Sequence, residues 1–394
     1  MTEYSRAFKD VASKLNKFVK QVSDGWGKVL QKFLRDFWYG MLASQTVLLT
    51  GISRGIETKT SEKKTIERFS ERLASFLGMD LIWNYHTVIK PEINERTIYI
   101  IDNTDATKPY GVKFEELCKV RDGSTGNIEK GYEIVNMVVL TQNHKQPIPV
   151  YSHLFSYSEP NYISNNVETQ KALDYVRNSF GKGGIKVFDR GYDDINLVRY
   201  LLGHNEKFII RCKDNRTFTF EEKKFHIQDL IKQSAKETTC YLGEHLLTFK
   251  SYAVQLHEIS LTLVVVTGFG AKPMTLLTNF TCEKELAQTV AKIYVLRWKI
   301  EEIHRFEKEV FDLEDFRVRN LKAIRNVVLL TSMLCGFIAM LCERQKHKLF
   351  KRLFKMSQTL PKKFSKNHLY FYSIARAIAG LLNAYKTRNH FSSA

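Results

Sequence analysis

Two periodicities alternate along the chain and divide it into blocks. Over residues 1–85 apolar positions recur at three and four, as in Phe8, Val11 and Leu15, more loosely in Val29, Phe33, Trp38 and Met41, and again in Ile66, Phe69, Leu73 and Phe76. That spacing gives a series of amphipathic helices. From Thr97 the pattern shortens. TIYIID (97–102) is an apolar, β-branched run that predicts a buried strand ending on Asp102. GYEIVNMVVLTQ (131–142) and PIPVYSHLFS (147–156) predict two more strands, joined as a hairpin by the NHKQ connection. Val167–Phe180 returns to a helical period, with Leu173, Val176 and Phe180 on one side. Ile185, Val187 and Phe188 predict a short strand ending on Asp189, Ile195–Leu202 a helix, and KFIIRC (207–212) another strand.

Residues 214 to about 281 are strand-like pieces between turns: TFTF, TTCYLG, LLTFKSYAVQL, LTLVVVTGF and MTLLTN. The last piece, 274–279, reads either as the end of that block or as a strand of the preceding one. Glu283 then opens a long helical segment. Val327–Cys342 carries no charge over 16 residues; a membrane span needs about 20, so a buried core helix is expected and no membrane partner. Periodicity by itself supports a mixed α/β chain and nothing finer.

Charge sharpens the functional classes. The net charge is +18 over 394 residues, which points to a polyanion, nucleic acid first and an anionic membrane second. From Arg344 to Ala394 there are twelve Lys or Arg and no Asp or Glu. Lys28, Lys32, Arg35, Arg54, Lys59, Lys63 and Lys64 punctuate the first block, as they would in a small DNA-binding domain or in any basic helical bundle. The six cysteines contain no CxxC pair, so neither a zinc cluster nor a disulfide framework is expected. Glu3 and the lack of an apolar stretch behind it give no signal peptide, and the expected location is cytoplasmic.

The candidate chemistry sits in Tyr294–Lys308, YVLRWKIEEIHRFEK. On one continuous helix Tyr294 and Glu301 lie about 20° apart, Arg297 and Glu301 about 40°, and Glu301 and Lys308 about 20°. A phenol, a guanidinium, a carboxylate and an ammonium would then share one stripe. The carboxylate suits a divalent cation and the other three suit phosphate oxygens. Taken alone, the same stripe reads equally as a solvated, ion-paired helix face.

The spacing of Tyr294, Arg297, Glu301 and Lys308 resembles the signature of the insertion-sequence-4 family of DDE transposases. Asp102, in Asp-x-Thr with Thr104, and Asp189, in Asp-Arg-Gly-Tyr, resemble the family's two catalytic aspartates. The resemblance implies a ribonuclease-H-like catalytic core at 86–320 with a β-rich insertion at about 214–272. It implies a helical N-terminal DNA-binding region at 1–85, with a helical basic region at 321–394 following the core. It implies that Asp102, Asp189 and Glu301 are catalytic and hold two Mg²⁺ ions, replaceable by Mn²⁺, and that Tyr294, Arg297 and Lys308 clamp DNA phosphate. Arg317 and Arg319 are further candidates for backbone contact. The implied activity is cleavage of the inverted-repeat ends of an insertion sequence and their joining to target DNA. The implied partners are double-stranded DNA and a second copy of the chain in a synaptic dimer. The alternatives are a catalytically defective DNA-binding relative acting as an inhibitor, and a ribonuclease-H-like nuclease without strand transfer. Asp105 and Asp193 are expected to be cap or turn residues, and Glu302 to face away from the stripe. His304 makes a single Glu-x-x-His pattern without a second copy, which argues against a metal role. Phe269 and Trp298 are the aromatics offered for stacking a displaced base.

Overall fold

The computed structural model describes residues 3–75, 78–142, 146–235, 237–242, 244–281, 285–343, 348–358 and 370–392. In chain order the elements are α1 (Glu3–Val22), α2 (Lys28–Ser44), α3 (Leu49–Gly55), α4 (Glu62–Ser75), α5 (Gly78–Ile89), β1 (Ile98–Thr107), β2 (Cys118–Arg121), β3 (Ile128–Leu140), β4 (Ile148–Phe155), α6 (Asn165–Phe180), β5 (Ile185–Phe188), α7 (Ile195–Gly203), β6 (Lys207–Arg211), β7 (Thr217–Phe220), β8 (Lys223–His226), α8 (Ile227–Leu230), β9 (Glu237–Leu242), β10 (His245–Leu256), β11 (Ile259–Thr267), β12 (Met274–Thr278), α9 (Leu286–Val295), α10 (Trp298–Val310), α11 (Leu321–Glu343), α12 (Lys348–Gln358) and α13 (Tyr370–Ser392). The chain forms two compact units. One comprises Met1–Glu92, Asn103–Ile163 and Glu301–Ala394, the other Ile93–Asp102 and Ser164–Ile300. β1 and α10 each begin in the second unit and end in the first.

The second unit is built on a mixed sheet ordered β1-β5-β6-β12-β11-β10-β7-β8, with β9 also on β10. β1, β5 and β6 are parallel. Their buried runs, such as Tyr99–Ile101 and Phe208–Ile210, are what a strand covered on both faces requires. α7 supplies the crossover from β5 to β6 that parallel neighbours need. β12 then pairs antiparallel with both β6 and β11, so 274–279 joins the core strand β6 to the β-rich block. The ladder from Thr248↔Thr267 to Leu256↔Ile259 makes β10 and β11 one long hairpin.

The first unit packs helices around α11, the uncharged stretch identified from sequence. It is the one helix among the described residues long and apolar enough to span a membrane, and 89% of that apolar window is buried. It packs against β4, α4, α5 and α13, and Trp38 donates its indole N–H to the Leu330 carbonyl at 2.9 Å. The expected hairpin is β3–β4, paired from Glu133↔Phe155 to Val139↔Ile148. β2, on the other end of β3, was missed because four residues alternating Cys118/Val120 inward with Lys119/Arg121 outward give a weak signal.

At one crossing the packing admits no side chain. A Cβ on Gly336 of α11 would stand 1.8 Å from the Tyr85 hydroxyl, which donates to the Pro149 carbonyl at 2.6 Å. Gly336→Ala is therefore expected to lower unfolding free energy by about 1–3 kcal/mol through overpacking. Gly380→Ala on α13, where the added Cβ meets nothing within 4 Å, is expected to be neutral or stabilising by up to about 1 kcal/mol. Urea unfolding of the pair checks this, and equal midpoints would disprove the Tyr85 contact.

Buried Glu307 on α10 hydrogen-bonds Cys335, and burial pushes its carboxyl up to about 8. A group raised in the folded state binds more protons there than in the unfolded chain, so its contribution falls as pH rises. Stability is expected to decline between about pH 4.5 and pH 8. Glu307→Gln should flatten that decline in thermal unfolding measured across the interval, and an unchanged slope would exclude Glu307 as its source.

Candidate active site

Asp102 and Asp189 follow directly on the last residues of a parallel register, Ile101↔Phe188. They therefore stand side by side on neighbouring strands, whose spacing is about 4.8 Å. Two carboxylates so close repel unless a cation lies between them. Arg297 supplies it: its Nη1 is 3.2 Å from Asp102 Oδ2 and its Nε 3.8 Å from Asp189 Oδ1. The Tyr294 hydroxyl donates to Asp189 Oδ1 at 3.1 Å. Burial, then the Asp189 charge, raises the Tyr294 phenol above its usual value, so it stays a neutral donor. The site is half open, with the Asp189 side chain 37% exposed and that of Arg297 15%.

Local backbone explains how Tyr294 and Arg297 reach the acids. The single long helix expected here is two helices, α9 and α10, separated at Leu296 and Arg297. Arg297 N–H bonds to Tyr294 O, Lys299 N–H to Leu296 O and Ile300 N–H to Arg297 O, all three residues back. This tighter winding turns about 120° per residue instead of 100°. The stripe drawn from Tyr294 to Glu301 on one ideal helix is therefore corrected; within α10 the Glu301–Lys308 phase survives. Glu283, named as the start of that helix, lies outside the described residues.

The other residues singled out from sequence fall as follows. Glu301 is exposed on α10, whereas Glu302 is 9% exposed and paired with Arg305 at 2.8 Å. Lys308 is held by Asp105 at 3.1 Å and Glu314 at 3.4 Å. Arg317 and Arg319 are exposed in the segment after β1's partner Glu314, and Glu115 N–H bonds to Arg319 O. Trp298 and Phe269 are 40% and 44% exposed, and Phe269 stands against His245. His304 is buried. Of the basic tail, residues 344–347 and 359–369 lie outside the described residues.

Three expectations are corrected. β1 does not end on Asp102 but runs to Thr107; what stops at Ile101 is its pairing with β5. Asp105 is consequently a buried strand residue, accepting from Gly123 N–H at 3.1 Å, not a cap or turn. The cap of α7 is Asp194, which accepts from Asn196 and Leu197 N–H. Asp193 is buried instead and accepts from Lys213 N–H at 2.7 Å and Arg216 Nε at 3.0 Å.

Paired carboxylates at adjacent strand ends, with a guanidinium and a neutral phenol over them, fit a protein that manages divalent cations and phosphate oxygens. The donor set is all oxygen, as Mg²⁺ or Mn²⁺ requires. Among the described residues no three ligating side chains already converge in a metal-holding cluster; Arg297 carries the positive charge between the two aspartates. Residues 95–335, more than half the chain, match the transposase DDE domain. The chain belongs to that family, a family of DNA-acting enzymes that use divalent metal ions. Among solved structures it is similar to the cryo-EM structure of the piggyBac transposase synaptic complex with hairpin DNA, at 11% identity and a TM-score of 0.46, over 99% of this chain and 82% of that one. No curated protein matches it.

Proposed function

We propose that the chain is a cut-and-paste DNA transposase that binds the inverted-repeat ends of an insertion sequence, frees them and joins them to target DNA. The observation that carries this is the in-register pair Asp102 and Asp189 under Arg297. Asp102 and Asp189 would hold the divalent ions, with Glu301 as the third acid. Those ions, when bound, lower the pKa of the attacking water or hydroxyl and stabilise charge on the phosphate and leaving oxygen. Tyr294 stays protonated and offers a hydrogen bond. Arg297, charged at every relevant pH, offers a planar fork to phosphate oxygens. The β1–β5–β6 part of the sheet supports a ribonuclease-H-like core. Synapsis of two ends calls for a dimer, and the proposed location is the cytoplasm, at the nucleoid when bound to DNA.

The test is a reaction on linear DNA carrying the element's own ends. Nicking and joining are expected with Mg²⁺ or Mn²⁺, and binding with little chemistry in Ca²⁺. Cleavage that persists in excess EDTA would exclude the metal-dependent reaction. Cleavage without joined product would favour a nuclease, and binding without cleavage in Mg²⁺ an inhibitor.

A further inference from the structure

In the first unit, β2 and β3 present a face whose charge no carboxylate among the described residues balances. Lys119 and Lys130 are directly opposite each other across the ladder, and Arg121 is opposite Ile128. All four are exposed, while Cys118 and Val120 point inward. Like charges facing each other across two strands are destabilising by themselves. None of Lys119, Arg121 and Lys130 has a carboxylate partner among the described residues. Arg121 donates to the Gly126 carbonyl at 2.9 Å and Lys130 to the Gly111 carbonyl at 3.3 Å.

That second bond ties the ribbon to a turn, Lys108-Pro109-Tyr110-Gly111, closed by Gly111 N–H to Lys108 O at 2.8 Å. The turn holds Tyr110 95% exposed and leads to Val112 at 82%, with exposed Lys113 next. The turn is anchored beneath. Lys108 Nζ donates to the Phe316 carbonyl at 2.9 Å and lies 3.9 Å from the Phe316 ring centre, which brings the Arg317–Arg319 segment alongside. The far end of the ribbon is fixed by Gly123 N–H on Asp105. Asp122, at that end, accepts from the Ser124 and Thr125 hydroxyls.

We propose that this face of β2 and β3, with the Tyr110 turn, is a second docking surface for duplex DNA, built of residues other than the aspartate pair. The proposal rests on the transposase reading for its partner and on the unbalanced cations for its place. Residues two apart on a strand are about 6.8 Å apart, close to the separation of successive phosphates along one DNA strand, so Lys119 and Arg121 match neighbouring phosphates. Tyr110 and Val112 then lie against sugars, giving contact area without sequence readout.

The binding measurement needs no knowledge of the element's ends. The full chain is titrated with a random-sequence duplex at several salt concentrations. The triple variant Lys119→Gln, Arg121→Gln, Lys130→Gln should bind at least tenfold more weakly at low salt. Its log–log salt slope should shrink by about 2 to 3, at about 0.9 per lost phosphate contact. Tyr110→Ala should weaken binding a few-fold with an unchanged slope. Thermal midpoints matching wild type establish that the variants fold; should the triple variant not fold, Lys130→Gln alone should lower the slope by about 0.9. Wild-type slope and affinity in the variants would overturn the proposal. The cations would then be guards of an edge strand, and the variants should self-associate. Metal-dependent cleavage of linear DNA carrying the element's own ends is scored on the same preparations. Intact cleavage with an unchanged slope overturns this surface alone, and absent cleavage in wild type overturns the transposase reading alone.

Discussion

Asp189→Asn is expected to abolish nicking and strand transfer, by at least about a thousand-fold, or about 4 kcal/mol of barrier, while binding of end DNA stays within about two-fold. The substitution keeps shape and one hydrogen-bond acceptor for Tyr294 but removes the charge that Arg297 answers at 3.8 Å and that a divalent ion requires. DNA affinity rests on the basic groups and should be almost indifferent to it. Glu301→Gln should behave in the same way. Glu302→Gln should keep substantial activity, because Glu302 is buried against Arg305 and its loss is one of packing. Gel-resolved cleavage and band-shift measurements on the same samples decide the matter. A Glu302→Gln protein that binds but cannot cleave, next to an active Glu301→Gln protein, would reassign the third acid.

Asp193→Ala is expected to cost about 3–5 kcal/mol of stability, the range for breaking a buried ion pair from one side. The Asp193 side chain is fully buried, and it answers the Arg216 guanidinium, whose side chain is 17% exposed, together with Lys213 N–H. Arg216 would be left with the Asp193 carbonyl at 2.7 Å as its remaining partner there. Because Asp193 lies four residues past Asp189 and clamps the loop after β6, the aspartate pair should lose order along with stability. Urea unfolding gives the cost, and a loss under about 1 kcal/mol would show that water replaces the pair. Asp193→Asn, which retains hydrogen bonding, should lose less.

The elements with long, regular patterns were legible in the sequence. β3 and β4, β5, α7 and β6 lie within a few residues of the runs that predicted them, since a buried parallel strand must be continuously apolar and a crossover helix must show a 3.6-residue period. α11 was read as a core helix because its uncharged run covers only 16 residues; the helix itself is long enough to span a membrane, and its burial makes it a core helix. The DDE transposase family was legible at the coarser level, from three acids in family order, Asp102, Asp189 and Glu301, and residues 95–335 match the transposase DDE domain.

What the sequence determined by itself, then, is the set of residue types and their order along the chain: two aspartates behind apolar runs, a Tyr/Arg/Glu/Lys segment, and an excess of cations. Which atoms meet was decided by tertiary structure. Strand register is set by pairing, not by composition, and it alone places Asp102 beside Asp189. The three-residue hydrogen bonds around Leu296 and Arg297 rotate the segment away from ideal helical phase, so that Arg297 reaches both aspartates. Asp193 and Asp194 are neighbours with the same side chain, and the sequence reading gave the cap or turn role to Asp193. Only the approach of Arg216 from a loop 23 residues later buries one of them and leaves the other to cap the helix, because a buried carboxylate is stable only where a distant part of the chain brings its counter-charge.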